Sequence, residues 1–179
     1  MKNYRAKRIS LTQANICNDD DGAISLISWP AVKIWSCENA VNGDPYNQNK
    51  NLGTYPSLII NGMNLIARRK LLTNKFFGNE YEISLWDEDG QCKISAYRPG
   101  WLWGKTEIKY NNQTYFLIRK KFFQFNYTLQ DSETRISLLT DVTSFFTLSS
   151  YREFLLSLEK PIDPILITFS FFLAHNEFF

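Results

Sequence analysis

In this sequence, two clusters of basic side chains have the residue types and the spacing that could bind a ligand. They precede two similar aromatic segments, and across residues 61–125 eleven Lys and Arg residues stand against six Asp and Glu residues. Such local positive charge can form a patch for anionic phospholipid headgroups. Charge that solubilises strand ends and edges is the simpler interpretation of the same side chains. The candidate binding residues are Arg68, Arg69, Lys70, Lys75, Arg119, Lys120 and Lys121.

The sequence predicts a protein that is not an enzyme, because groups able to do acid, base or nucleophilic chemistry are scarce. The single histidine, His175, lies beside Asn176 and Glu177, and we interpret it as an exposed or capping residue at a helix end. Both Ser/His/Asp and Cys/His catalysis would depend on that one residue. The eight glycines are scattered along the chain, so no phosphate-binding loop is predicted.

No metal, cofactor or nucleic-acid partner is predicted. Cys17, Cys37 and Cys92 are far apart, which is untypical of a zinc site or a disulfide framework and typical of a reduced, cytoplasmic protein. The acidic segments 19–22 and 87–90 lack the ligand spacing of a calcium loop, and we interpret them as turns. No apolar stretch of signal-peptide length follows the basic N-terminus. The net charge of +2 gives the whole chain no attraction to a polyanion.

The composition and the residue pattern favour a β fold. The 179 residues include 14 Phe, 9 Tyr and 5 Trp, and aromatic side chains favour half-buried strands. Residues 81–86 alternate as a strand does, 87–90 form a hairpin signal, and 92–96 form the return strand. Residues 106–118 repeat this arrangement around a turn at 111–113. Short strands at this spacing predict a barrel or a sandwich.

Two helices are predicted near the C-terminal end. A capping box begins at Ser150, and the apolar residues of segment 151–158 fall on one helical face. The second helix has Asp163 as its N-cap and Pro164 in its first turn, and it continues through the apolar run 165–174. That run is about half the roughly 20 residues that a membrane span needs. It therefore predicts a helix buried in the core and no transmembrane segment.

The first 56 residues differ from the rest of the chain. They contain strand-like segments at 23–29 and 32–35, followed by a loop over 38–56 that is rich in Asn, Gly and Pro. We therefore divide the chain into residues 1–56, an arm or extra hairpin with a loop, and residues 57–179, the main domain.

An internal repeat organises the main domain. The two copies are offset by 46 residues at their Lys-Phe-Phe and Tyr positions, residues 101–108 resemble a degenerate third element, and Phe145-Phe146 a fourth. One such unit cannot cover its own apolar face, whereas several units closing around an apolar helix can. The first copy contains Lys75, Phe76, Phe77, Tyr81, Ile83, Asp87 and Ile94, and the second Lys121, Phe122, Phe123, Tyr127, Leu129, Asp131 and Ile136.

This pattern resembles the tubby C-terminal-like superfamily, in particular the short LURP-one-related and bacterial tubby-like proteins, with phospholipid scramblases as more distant relatives. The resemblance covers about residues 65–179. It implies a closed antiparallel β-barrel of repeated hairpins around a hydrophobic C-terminal α-helix. It also implies recognition of phosphoinositides through basic residues, although no individual residue of that family's motif can be matched to this chain.

Two fold predictions and two functional hypotheses follow. The fold is mainly β, a closed barrel with a buried C-terminal helix, or, if segment 151–158 is helical, α+β with a smaller antiparallel sheet. The first functional hypothesis is a non-enzymatic module that binds anionic lipid headgroups or a membrane-associated partner, in the cytoplasm or at the membrane periphery. The alternative is a soluble protein–protein interaction module, such as an inhibitor or immunity-type protein, with Trp29, Trp35 and Tyr46 on its contact surface.

Overall fold

The protein forms an antiparallel sheet of twelve strands with a helix, α1, packed against its inner face. The computed structural model describes residues 3–10, 12–18, 22–29, 55–73, 80–99, 105–121, 124–141, 151–156 and 162–175. The elements are β1 (Asn3–Ser10), β2 (Gln13–Asn18), β3 (Ala23–Ser28), β4 (Ser57–Ile60), β5 (Met63–Thr73), β6 (Glu80–Trp86), β7 (Cys92–Arg98), β8 (Thr106–Tyr110), β9 (Gln113–Lys121), β10 (Gln124–Asp131), β11 (Ser137–Asp141), β12 (Tyr151–Leu156) and α1 (Pro164–His175).

Each strand pairs with the strands next to it in the chain, and β1 also pairs with β12. The first three strands come from residues 1–56 and lie in the same sheet as the others, since β3 pairs with β4 through Ile27 and Leu58. At the other side, Ala6 of β1 lies opposite Arg152 of β12. The division of the chain into two units at residue 56 stays a prediction.

Residues that tolerate a left-handed backbone form the tight turns. Gly90 has a φ of 73° in the turn between β6 and β7, and Asn111 and Asn112 have φ values of 48° and 61° between β8 and β9. Gly and Asn are the residues that adopt this conformation at least cost. Asp87 fixes the first turn, because its Oδ1 accepts a hydrogen bond from the Gln91 N–H at 2.8 Å. Both predicted hairpins are confirmed.

Alternation along the strands directs apolar side chains to the inner face. Ile83 and Leu85 of β6 are 1% and 0% exposed. They lie opposite Ala96 and Ile94 of β7, which are buried as well. The same pattern on neighbouring strands produces a continuous apolar surface, against which α1 packs.

The helix α1 is apolar on all sides and buried on all sides. Phe169, Phe171 and Phe172 are each at most 1% exposed, although the 3.6-residue turn points them in different directions. The buried hydroxyl of Thr168 donates a hydrogen bond to Ser25 Oγ of β3 at 2.9 Å. This polar contact adds a fixed point to an interface that is otherwise apolar.

The N-terminus of α1 is capped as its sequence predicts. Asp163 Oδ1 accepts a hydrogen bond from the Ile165 N–H at 2.8 Å, which satisfies one of the free donors of the first turn. Pro164 occupies the first helical position, where its missing N–H removes no hydrogen bond. The predicted buried C-terminal helix is therefore confirmed.

The helix predicted at 151–158 is wrong, because Tyr151–Leu156 form strand β12. Their backbone pairs with β1 on one side and with β11 on the other. A segment of six residues with Tyr, Phe and Leu fits both the helical and the strand period, and pairing with sequence-distant strands decides between them. With β12 in a large sheet, the alternative α+β fold with a smaller sheet is also wrong.

Several predicted features lie outside the described residues. They are the strand at 32–35, most of the loop at 38–56, the acidic residues 19–21, the aromatic pairs Phe76-Phe77, Phe122-Phe123 and Phe145-Phe146, and residues 101–104.

Replacing the α1 cap tests how much the helix end contributes to stability. We expect Asp163→Ala to lower the free energy of unfolding by about 1–2 kcal/mol, because the Ile165 N–H loses its acceptor. Asp163→Asn keeps a capping oxygen of the same reach and should lose less than half of that amount. Urea unfolding followed by tryptophan fluorescence measures both variants. Equal losses in the two would show that capping is not the cause.

Candidate functional site

Antiparallel pairing sorts the charged residues between the two ends of the sheet. Odd-numbered strands end and even-numbered strands begin at one end, which we call the basic end; the opposite end is the acidic end. Among the described residues, the half of the sheet toward the basic end carries ten cations and four acids, with the mid-strand Arg68 and the directly paired Arg5 and Glu153 assigned to neither half. The cations are Lys7, Arg8, Arg69, Lys70, Arg98, Lys105, Arg119, Lys120, Lys121 and Arg152, and the acids are Glu80, Glu82, Glu107 and Asp141.

The half toward the acidic end has the opposite balance among the described residues, with three cations and six acids. Several of the acids lie in hairpin turns because a carboxylate can accept backbone N–H groups there. The chain is thus polarised along the strand direction. The cations are Lys93, Lys109 and Arg135, and the acids are Asp87, Glu88, Asp89, Asp131, Glu133 and Asp163.

Both predicted basic clusters lie toward the basic end, on strands that run in the same direction. Residues 69 and 70 lie in the second half of β5, Arg68 lies at its midpoint, and residues 119–121 end β9. Three strands separate β5 from β9 in the sheet, so the clusters are about 19 Å apart along it at ~4.8 Å per strand. Lys75 lies outside the described residues. The two clusters therefore lie toward the same end of the sheet, but they form two separate groups.

Within the first cluster, Arg68 and Lys70 belong to the outer face. Lys70 is exposed and lies opposite Glu82 of β6. The Arg68 guanidinium carbon lies 5.2 Å from the centre of the Trp86 ring, a cation–π distance. The Trp86 indole N–H in turn donates to Ser84 Oγ at 2.8 Å. The aromatic ring therefore holds Arg68 against the outer surface of the sheet.

Arg69 faces inward, because it lies opposite the buried Ile83. Its guanidinium carbon is 4.9 Å from the centre of the Tyr81 ring. Arg98 of β7 lies directly opposite that tyrosine on the other side. Two arginines therefore flank one inner-face tyrosine where the apolar core ends toward the basic end.

A second inner group has the same residue types. Arg119 of β9 lies opposite Tyr127 of β10, which is buried. Asp141 is 1% exposed, and it follows Thr140, which pairs with the residue after Tyr127. Tyr127 and Asp141 are therefore neighbours on the inner face. Arginine, tyrosine and aspartate side chains replace aliphatic ones at this end of the core.

The internal repeat explains the likeness of these two groups, but the basic clusters are not at equivalent positions in it. Ile83 and its counterpart Leu129 lie opposite Arg69 and Leu117, respectively. Arg119 is thus two residues farther along its strand than Arg69. Because side chains alternate with a period of two, this shift keeps both arginines on the inner face.

Arg98 is a residue of this region that the cluster spacing does not predict. Its position follows from the hairpin at 87–90, which pairs Leu85 with Ile94 and consequently Tyr81 with Arg98. If the register of the hairpin is extended to the end of its return strand, the sequence alone places Arg98 opposite Tyr81.

The acidic end holds the start of α1 through buried tyrosines. Burial and a hydrogen bond with the Asp163 carboxylate raise the pKa of Tyr110 to about 12. Burial, followed by the negative charges of Asp131 and Asp163, raises the pKa of Tyr115. Asp131 also accepts the backbone N–H groups of Glu133 and Thr134 at Oδ1, at 2.9 and 3.0 Å. Asp131 and Asp163 therefore have structural roles at this end, because their carboxylates accept hydrogen bonds.

Comparisons of the chain with protein-family models, with curated proteins and with solved structures find no match. Within the described ranges, no helix combines the length and the apolar character needed to cross a bilayer. No three His, Cys, Asp or Glu side chains of the described segments are grouped so that they could hold a metal ion. The distribution of charge over the two ends is thus the basis for a functional proposal.

Tyr110, which lies beside the start of α1, makes the stability of the protein depend on pH in the alkaline range. Unfolded Tyr110 loses its proton near pH 10, whereas the folded protein keeps it up to about pH 12. Since the unfolded state binds fewer protons in this interval, stability falls as the pH rises through it. We expect Tyr110→Phe to show a smaller fall between pH 10 and 12, in urea unfolding at a series of pH values. From pH 7 to 9 this residue should contribute no slope. An identical alkaline fall in the variant would contradict the assignment.

Proposed function

We propose that this protein is a non-enzymatic binding module that associates with anionic phospholipid surfaces through its basic end. The observation that carries the proposal is that both basic clusters lie at the end of the sheet opposite the acidic turns. An anionic membrane attracts one end of such a molecule and repels the other. The charge separation therefore supports an oriented association, which a net charge of +2 alone would not suggest.

The outer-face cations are the ones proposed to meet lipid headgroups. Lys70 is exposed and lies in the half of β5 toward the basic end. Arg68 is held by Trp86, the last residue of β6 before the acidic turn, so Lys70 is the outer-face cation of this cluster that faces the basic end. Each Lys or Arg near an anionic membrane contributes about 1 kcal/mol to association. The inward-facing Arg69 and Arg119 lie beside core tyrosines, so we propose that they shape the end of the core and that the outer residues bind.

We also propose that the twelve strands close into a barrel around α1, as the resemblance to tubby and LURP-one-like proteins implies. Pairing of β1 with β12 supports closure, because it pairs the two strands that would otherwise be the sheet edges. The complete burial of an apolar helix supports it as well, because such a helix needs cover on every side.

The alternative of a soluble protein–protein interaction module stays a proposal with less support. Of the three aromatic residues suggested for its contact surface, Trp29 stacks on Phe172 of α1 with ring centres 6.4 Å apart. That ring therefore contributes to the core. Trp35 and Tyr46 lie outside the described residues.

Charge reversal at the basic end tests the lipid proposal. The triple variant Lys70→Glu, Lys120→Glu and Lys121→Glu should bind vesicles of phosphatidylserine and phosphatidylcholine at least about 100-fold more weakly than the wild type, because three attractions of about 1 kcal/mol each are lost. Co-sedimentation at low salt measures the binding. Added salt should weaken wild-type binding by screening the same charges.

A matched variant controls for the change of net charge. Lys109 and Arg135 are exposed residues toward the acidic end, and Arg5 is an exposed residue in the first half of β1, away from the basic end of that strand. Reversing all three to Glu changes the total charge by the same amount. This control should retain most of the wild-type binding. Equal loss in the two triple variants would refute the basic end as the binding surface, and absence of wild-type binding to anionic vesicles would refute lipid binding.

A further inference from the structure

The basic end carries exposed apolar side chains beside its cations. Ile9 is 52% exposed and Leu72 is 41% exposed, and both lie near the ends of odd-numbered strands. Leu72 lies two residues beyond Lys70, where the pairing of β5 with β6 shifts register. Ile9 lies at a β-bulge, where the pairing of β1 with β2 shifts register. Bulges of this kind redirect a side chain away from the regular face of a sheet.

An anionic bilayer is the partner whose chemistry fits this combination. Its headgroup layer attracts cations, and its boundary with the acyl chains accepts apolar side chains. Ile9 and Leu72 lie on strands that are separated by β2, β3 and β4, so the two contact points are spread around one end of the sheet. A broad flat surface can meet both at once, which a short peptide segment is poorly suited to do.

We propose that the protein lies on an anionic bilayer with its basic end down, with Ile9 and Leu72 inserted into the interfacial layer. The acidic turns then point toward water. This inference rests on the proposed lipid-binding function and adds an orientation and an apolar contribution to it. Tyr97 is also exposed toward the basic end, but it lies opposite Glu82 and Glu107, so we do not include it among the inserted residues.

Serine substitutions at exposed positions measure the apolar contribution. Ile9→Ser and Leu72→Ser should each lower the partition coefficient onto phosphatidylserine-containing vesicles about 5- to 10-fold, as expected for partial burial of one aliphatic side chain. Matched controls lie toward the acidic end, where Ile136 is 37% and Met63 is 41% exposed. Ile136→Ser and Met63→Ser should leave the coefficient unchanged within about 2-fold. Circular dichroism verifies that each variant is folded.

A fluorescent probe reports insertion directly. We would attach the environment-sensitive fluorophore NBD to Leu72→Cys, or to Ile136→Cys, in a chain whose Cys17, Cys37 and Cys92 are replaced by Ser. Anionic vesicles should shift the emission of the probe at position 72 to shorter wavelength and leave the probe at position 136 unchanged.

The outcomes separate this inference from the function on which it rests. If anionic vesicles bind the wild type while both basic-end serine variants bind equally well and the probe at 72 stays in water, insertion is refuted and charge-driven binding stands. If the emission of the probe at position 136 shifts to shorter wavelength and that of the probe at position 72 does not, the proposed orientation with the basic end on the bilayer is refuted. Failure of the wild type to bind anionic vesicles refutes the proposed function itself.

Discussion

The rest of the structure depends on the burial of α1 on every side. A helix with the sequence Ile-Leu-Ile-Thr-Phe-Ser-Phe-Phe-Leu-Ala has no polar face to present to water, so each of its sides has to be buried. The inner face of the sheet accordingly carries aliphatic residues over its central part, and its polar residues are displaced to the two ends. The buried aliphatic residues of the strands include Ile16, Ile27, Leu58, Leu65, Ile83, Leu85, Ile94 and Ile108.

This constraint also explains why the two ends of the sheet differ. At the acidic end, carboxylates cap turns and the start of α1, as Asp87 and Asp163 do. At the basic end, the inner face finishes with Arg69 and Arg119 beside tyrosines, and Lys70 continues the charge on the outer face. Carboxylates that cap turns at one end and arginines and lysines at the other thus produce a polarised molecule, which is the basis of the lipid proposal.

Those elements that short-range chemistry specifies could be predicted from the sequence. The Asp87–Gly90 hairpin and the Asp163-Pro164 helix start each depend on a few adjacent residues, and both are confirmed. Strand β12 could not be predicted, because its partners β1 and β11 are distant in the sequence. Strand β1 lacks a clear alternation of apolar residues, with Ala6 the buried member of Asn3–Ser10 among those whose burial is described, so its pattern predicts no strand.

The candidate site was predictable in its residues and not in its arrangement. Clustering identifies Arg68, Lys70 and Arg119 from the sequence, but the face on which each lies depends on the strand register. Arg98 is found only when the hairpin register is extended to the end of β7. The charge separation between the ends is invisible in a net charge of +2, because it arises only when antiparallel pairing brings alternate strand ends together.

Amide hydrogen exchange tests most directly whether a sheet closed around α1 is the centre of the fold. Residues enclosed in this way exchange only when the whole protein unfolds. We predict that the amides of residues 166–174 exchange as slowly as those of β6 and β7, and that the paired amides of β1 and β12 do so as well. Exchange of α1 well before β6 and β7, or rapid exchange along β1 and β12 of the kind found at sheet edges, would contradict this account.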